Sequence, residues 1–150
     1  MNFKELGLNK PIVRAVSELG IETPTKVQEQ TIPLVLDKRD VIVSSQTGTG
    51  KTFAYLLPIL RDLKFSKQQH PRVLILVPTR ELVVQVVEEI EKLAKYISLR
   101  VVGVYGGVNL NRHKEAVAQG SDVLVATPGR LYDLALSNVL KLKSIQKLVI

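Results

Sequence analysis

The stretch Val41-Ile42-Val43-Ser44-Ser45-Gln46-Thr47-Gly48-Thr49-Gly50-Lys51-Thr52 decides how the rest of the chain is read. Three β-branched apolar residues, Val41 to Val43, predict a buried strand. The run from Thr47 to Thr52 predicts a phosphate-binding loop that opens into a helix. Glycine lets the backbone curl so that successive N–H groups line one concavity, where phosphate oxygens fit. A helix N-terminus behind the loop adds unsatisfied N–H groups and the positive end of its dipole. In such a loop Lys51 reaches the outer phosphates and the Thr52 hydroxyl is placed to ligate Mg²⁺. The common pattern begins with Gly six residues before the Lys; Ser45 stands there, small enough for the turn.

Working outward, 150 residues suit one domain with a real core, and 45% hydrophobic content is ordinary for a globular protein. With no cysteine, disulfides, zinc-finger spacing and thiol nucleophiles are excluded. No apolar run approaches the ~20 residues of a membrane span, and folded-looking sequence from near Met1 predicts no secretory signal. A cytoplasmic protein is the default expectation. The net charge of +7 is uneven: residues 1–50 balance to zero, residues 51–99 carry +3 and residues 100–150 carry +4. A basic excess downstream of the loop suits either a polyanion partner or a merely soluble surface.

Apolar spacing predicts helices from Asn9-Lys10-Pro11 to Gly20, from Thr23-Pro24-Thr25 to the turn at Asp37-Lys38-Arg39-Asp40 with Pro33 bending or ending it early, and from Phe53 to Leu63 with a kink at Pro58. Further helices are expected over 80–96, 109–119 and 129–137. Apolar runs predict strands at 72–77, 101–105, 122–126 and 147–150. Strand and helix alternate, so the sheet should be parallel, with helices on both faces and right-handed crossovers. In such a sheet all strand C-termini share one edge, where ligands bind. Three more segments there are unusual: Pro78-Thr79-Arg80-Glu81-Leu82, Gly106-Gly107 and Thr127-Pro128-Gly129-Arg130. Each has a purely structural reading, as N-cap, tight turn and loop. As a set beside a basic excess, they favour a track for a sugar–phosphate backbone.

In order and spacing these segments resemble the first RecA-like domain of a DEAD-box ATP-dependent RNA helicase. Gly20 to Gln28 resembles that family's Q motif, with Phe3 at its isolated upstream aromatic. Ser45 to Thr52 resembles motif I, Pro78 to Leu82 motif Ia, Gly106-Gly107 the GG motif, and Thr127 to Arg130 motif Ib. The resemblance implies an α/β fold, a parallel sheet with helices on both faces in a RecA-like P-loop NTPase domain that is incomplete here. A Q-motif region would occupy 1–40 and a P-loop core 41–150.

It also implies roles. ATP and Mg²⁺ would be held by Ser45, Gln46, Thr47, Gly48, Thr49, Gly50, Lys51 and Thr52, with Lys51 and Thr52 catalytic and Thr52 on the metal. Phe3 would stack on the base, Thr23 would help hold its loop, and the Gln28 amide would read adenine. From the residues alone Gln28 also fits a capping box with Thr25, and a side chain reaching back to cap is not free to reach a base. With the resemblance, adenine is the favoured reading. RNA would be gripped without sequence readout by Pro78, Thr79, Arg80, Gly106, Gly107, Thr127, Pro128, Gly129 and Arg130. His70 and His113 are expected on the surface, without a role. Tyr55, Tyr96, Tyr105 and Tyr132 are expected to pack in the core or at its edge.

The family's Asp-Glu-Ala-Asp and Ser-Ala-Thr segments, and its second RecA-like domain, are not in these 150 residues. The resemblance therefore implies a helicase parent and a chain that binds nucleotide and RNA without hydrolysing ATP. It also implies unpaired strand edges with exposed apolar surface. The alternatives are an ATP-gated RNA clamp that does not unwind, and a P-loop kinase or GTPase with no nucleic-acid partner.

Overall fold

The computed structural model describes residues 1–150. The chain divides into two compact units, Met1–Lys64 with Lys92–Ile97, and Phe65–Glu91 with Ser98–Ile150.

The first unit is helical. Helix α1 (Lys10–Glu18) carries Pro11 in its first turn, where the missing N–H costs nothing. Its Ile12, Ala15 and Val16 recur at helical spacing and are buried. Helix α2 (Lys26–Leu36) opens on a complete capping box between Thr25 and Gln28 and runs past Pro33 without ending. Of the two outcomes expected at Pro33, a bend or an early end, the early end does not occur. Three residues beyond Pro33 keep the helix going, and α2 packs along α3 (Lys51–Asp62). Burial of Ile32 one residue earlier helps offset the hydrogen bond that proline forfeits. Helix α3 likewise contains Pro58 and buries Leu56, Leu57, Ile59 and Leu60.

The expected strand at Val41–Val43 does not form. No segment pairs with it, Ile42 is fully exposed and Val43 is partly so. β-branched residues only favour an extended chain; a strand needs a neighbour for its N–H and C=O groups.

The second unit holds a four-stranded parallel sheet in the order β2-β3-β1-β4. The strands are β1 (Val73–Leu76), β2 (Val101–Val104), β3 (Val123–Ala126) and β4 (Lys147–Val149). All pairings are parallel, with Leu76 and Val104 both in register with Ala126. Leu74, Val104, Leu124 and Ala126 on one face pack with Val117 of α5 (Leu110–Ala118) and Leu134 of α6 (Pro128–Leu136). On the other face α4 (Arg80–Leu93) comes close at Gly103. A Cβ there would sit 2.9 Å from both the Val83 and Val87 side chains, so the sheet needs glycine for this approach. Helices therefore cover both faces, as expected. The sheet stops at β4, where Leu148 is 55% and Ile150 92% exposed. Lys147–Val149 is thus an edge strand with one paired side, to β1.

One carboxylate ties the far end of this sheet together. Asp122, just before β3, accepts from Arg72 Nη2 at 2.9 Å, from Arg100 Nη2 at 3.2 Å and from the Arg100 backbone N–H at 2.8 Å. Burial alone would raise its pKa. The Arg100 side chain and backbone, then Arg72, outweigh burial and hold the carboxyl below its ordinary range. Arg100 also donates to the backbone carbonyls of Ser66 and Gln68, fastening the 65–70 connection.

Candidate functional site

In the first unit, the loop after Val43 is folded on itself. Lys51 Nζ donates to the Ser45 carbonyl at 2.5 Å, and the Ser45 and Thr49 hydroxyls lie 2.5 Å apart. Thr49 also donates to the Gln46 carbonyl at 2.7 Å. Gln46, Thr47 and Gly48 are exposed. Gly48 and Gly50 have φ of +83° and +87°, the left-handed conformation that glycine adopts freely. Gly50 is the N-cap of α3 and offers no side-chain cap, and the first intrahelical donor is Ala54 N–H to the Gly50 carbonyl. The first-turn N–H groups of α3 are thus left for an outside acceptor. An uncapped helix start, two left-handed glycines and a lysine ammonium are the donor set of an anion site.

Thr52 stands in the first turn of α3. Burial pushes the phenol of Tyr55, one turn on, up to about 12, while a side-chain hydrogen bond with Thr52 acts in the opposite sense. No group of three His, Cys, Asp or Glu side chains is placed to hold a metal ion. A Mg²⁺ ion at Thr52 would therefore rely on phosphate oxygens and water, which is how that ion is commonly bound in nucleotide sites.

Gln28 is buried and both ends of its amide are engaged. Its Oε1 accepts from Thr25 N–H at 3.0 Å, and its Nε2 donates to the Gly50 carbonyl at 3.2 Å. The capping-box reading is the one realised here, with a second bond that reaches the phosphate loop. Phe3 is packed in the interior and shows no open ring face, and Thr23 is exposed. A groove elsewhere in this unit is lined by Lys4, Leu8, Pro11, Arg14, Glu18 and Tyr96.

In the second unit, β1, β2 and β3 end in register, so the turns that follow emerge side by side on one rim. Thr79 caps α4 by accepting from Leu82 N–H at 3.2 Å, leaving Pro78, Thr79 and Arg80 exposed. Gly106 and Gly107 are exposed, with Gly107 at φ +84°. Thr127 is the N-cap of α6 but forms no side-chain cap bond, and Pro128 and Gly129 are exposed. The Pro78–Arg80, Gly106–Gly107 and Pro128–Gly129 segments are thus exposed side by side on this rim.

Arg130 departs from that pattern. Its side chain is 10% exposed. Nη2 donates to the Val108 carbonyl at 3.0 Å, and Nη1 lies 2.8 Å from His113 Nδ1. The guanidinium is spent largely inside the fold, bracing the turn after Gly107. His113, expected on the surface, is buried. Its spacing of four from Val117 on one face of α5 was the available signal. The Tyr105 ring meets His113 edge-on at 5.2 Å, and the Arg80 guanidinium lies 4.9 Å from the Tyr105 ring centre.

Residues 25–150 match the family model described as DEAD/DEAH box helicase. The chain is 43% identical over its whole length to the ATP-dependent RNA helicase CshA of Limosilactobacillus reuteri, covering 30% of that protein. It is 41% identical over 149 residues to the ATP-dependent RNA helicase DeaD of Escherichia coli, covering 24% of it. The crystal structure of a DEAD box protein from the hyperthermophile Methanococcus jannaschii superposes with a TM-score of 0.91 at 34% identity, over 99% of this chain and 40% of that one. The chain thus spans under a third of the length of its sequence relatives. With a family-model match over residues 25–150, the chain belongs to the DEAD/DEAH box helicase family.

Proposed function

We propose that this chain is the nucleotide-binding and RNA-gripping part of an ATP-dependent RNA helicase, working with ATP and Mg²⁺. The observation that carries the reading is the uncapped start of α3, with Lys51 held on its own Ser45 carbonyl where phosphate oxygens would replace it. Phosphate binding would exchange that internal contact for charge-assisted ones. Thr52 would present its hydroxyl to the metal, which supplies charge neutralisation between the phosphates. Gln28 would recognise adenine by giving up one of its present partners. Arg80 and the N–H groups around Gly107 and Gly129 would hold RNA phosphates; Pro78, Thr79, Gly106, Thr127 and Pro128 shape those turns. Arg130 would act mainly by bracing its neighbours.

A second RecA-like domain would complete the machine, and the cytoplasm, where RNA and ATP are both abundant, is the compartment we assign. Without the family's Asp-Glu-Ala-Asp and Ser-Ala-Thr segments, the chain by itself would bind ATP without turning it over at a helicase-like rate. Fluorescent-ATP titration of wild type against Lys51→Ala, with and without single-stranded RNA, tests the proposal. ATP binding that needs Lys51 supports it, and ATP binding unaffected by the substitution refutes it. Turnover at a helicase-like rate would refute the statement on hydrolysis.

A further inference from the structure

We propose that His113 is a positioning residue for the RNA-gripping rim: its unprotonated Nδ1 pins the Arg130 guanidinium, and through it the turn at Gly106–Val108, in the shape that receives a phosphate backbone. The proposal rests on the RNA reading above.

A guanidinium can only donate, so the 2.8 Å contact from Arg130 Nη1 requires His113 Nδ1 to be an acceptor. The neutral ring therefore carries its proton on Nε2. The same guanidinium donates through Nη2 to the Val108 carbonyl at 3.0 Å, so one side chain links α5, α6 and the turn after Gly107. On its other side the imidazole meets the Tyr105 ring, and that ring carries Arg80. All three turns of the rim are reached from one buried imidazole within a single compact unit.

The groups facing His113 are the Arg130 guanidinium from α6, with the Asp133 carboxylate 3.6 Å from Arg130 Nε, and the Tyr105 ring from the end of β2. No carboxylate touches the imidazole itself. Burial, and then the charge of Arg130, hold the His113 pKa below its usual 6.5. A second proton would go onto Nδ1, against an N–H that already points there and beside a positive charge. Acidification through the folded-state pKa would therefore break the contact and free the Val108 turn. That loss runs against the ordinary trend, in which added positive charge strengthens binding to RNA.

The test uses His113→Asn, whose Oδ1 sits where Nδ1 does and does not titrate, and His113→Leu, which keeps bulk but has no acceptor. Anisotropy of a fluorescent oligouridine, at fixed ionic strength, gives affinities from about pH 8 down to about pH 4.5, a range carried below the ordinary histidine window because burial and Arg130 lower the folded-state pKa. Dividing wild type by the Asn variant cancels every other titration. The expected result is equal affinity near pH 8 and a wild type weaker by about threefold or more at the acid end. The Leu variant is expected to be weaker at every pH. Parallel wild-type and Asn profiles overturn the proposal, as does a Leu variant that binds like wild type near pH 8.

A nitrogen-15 NMR titration of RNA-free wild type keeps the question open to refutation if a variant fails to fold. The Arg130 side-chain signals should shift with the His113 imidazole as it titrates. Their indifference overturns the proposal at the imidazole. Coupled shifts with no RNA binding at any pH overturn it through its RNA premise instead.

Discussion

The Gln28 amide nitrogen donates to the Gly50 carbonyl at 3.2 Å, joining the first turn of α2 to the residue that opens α3. The packing there is tight: a Cβ on Gly50 would lie 2.4 Å from Gln28 Nε2 and 3.1 Å from Thr25 Oγ1. The base-recognition residue of our proposal and the phosphate loop therefore share a bond before any nucleotide arrives. Gln28→Ala removes a capping-box partner and this link, and should cost about 1–2 kcal/mol of stability. It should also reduce the preference for ATP over GTP. Urea unfolding and a pair of nucleotide titrations measure the two effects.

Gly50→Ala attacks the same junction from the other side. The residue sits at φ +87°, where an L side chain is strained, and the new methyl would strike the Gln28 amide. A destabilisation of about 1–3 kcal/mol is expected, with loss of nucleotide binding. The Gln28→Ala, Gly50→Ala double variant should cost less than the sum, because the clash disappears.

Gly103→Val should unfold the second unit before the first. Even the first carbon of a side chain would meet Val83 and Val87 at 2.9 Å, in a face that has no slack. The Ala variant should cost about 1–3 kcal/mol and the Val variant more. Thermal melts followed by near-UV absorbance of the tyrosines, together with amide exchange of β2, check this.

Stability should fall in acid through Asp122. Its folded-state pKa is depressed, so its contribution is complete above the ordinary carboxylate value of 3.8 and drains away as pH drops through the lower folded value. Asp122→Asn should remove that acid slope. At neutral pH it should cost about 3 kcal/mol, since Arg72 and Arg100 lose their shared carboxylate. Urea midpoints across the acid range give both numbers.

The open edge at β4 should make the chain associate as concentration rises. Lys147–Val149 has one paired side, to β1, and Leu148 is more than half exposed. Sedimentation velocity over a tenfold concentration range should show growth, and Leu148→Lys should suppress it. A concentration-independent monomer would contradict the expectation.

What was legible in the sequence follows the range of the interaction. Val73–Leu76 and Val123–Ala126 read as buried strands because an uninterrupted apolar run has few other homes. The Thr25–Gln28 cap and the Thr79 cap were legible because they close over three residues. Val41–Val43 misled because the same run needs a partner strand, and partnership is not a local property. Gln28 to Gly50 spans 22 positions, and Arg130 to His113 spans 17. No spacing rule in one sequence announces such bonds. The inward turn of Arg130 was hidden for that reason: an arginine in a glycine-rich turn looks the same in sequence whether it faces solvent or braces the loop behind it.

The register of the sheet also acts as a ruler. Leu76, Ala126 and Val104 stand in one row across β1, β3 and β2, and neighbouring strands are about 4.8 Å apart. The three turns therefore span only about 10 Å, and a single strand of RNA bound as we propose would meet the turn at Gly107 first, the one at Thr127–Arg130 next and the one at Pro78–Arg80 last, or the reverse. So short a ledge has room for two or three phosphates, and its salt dependence should be correspondingly shallow, with a log–log slope of roughly −2. Lengthening the oligonucleotide past that footprint should bring no further gain per binding event.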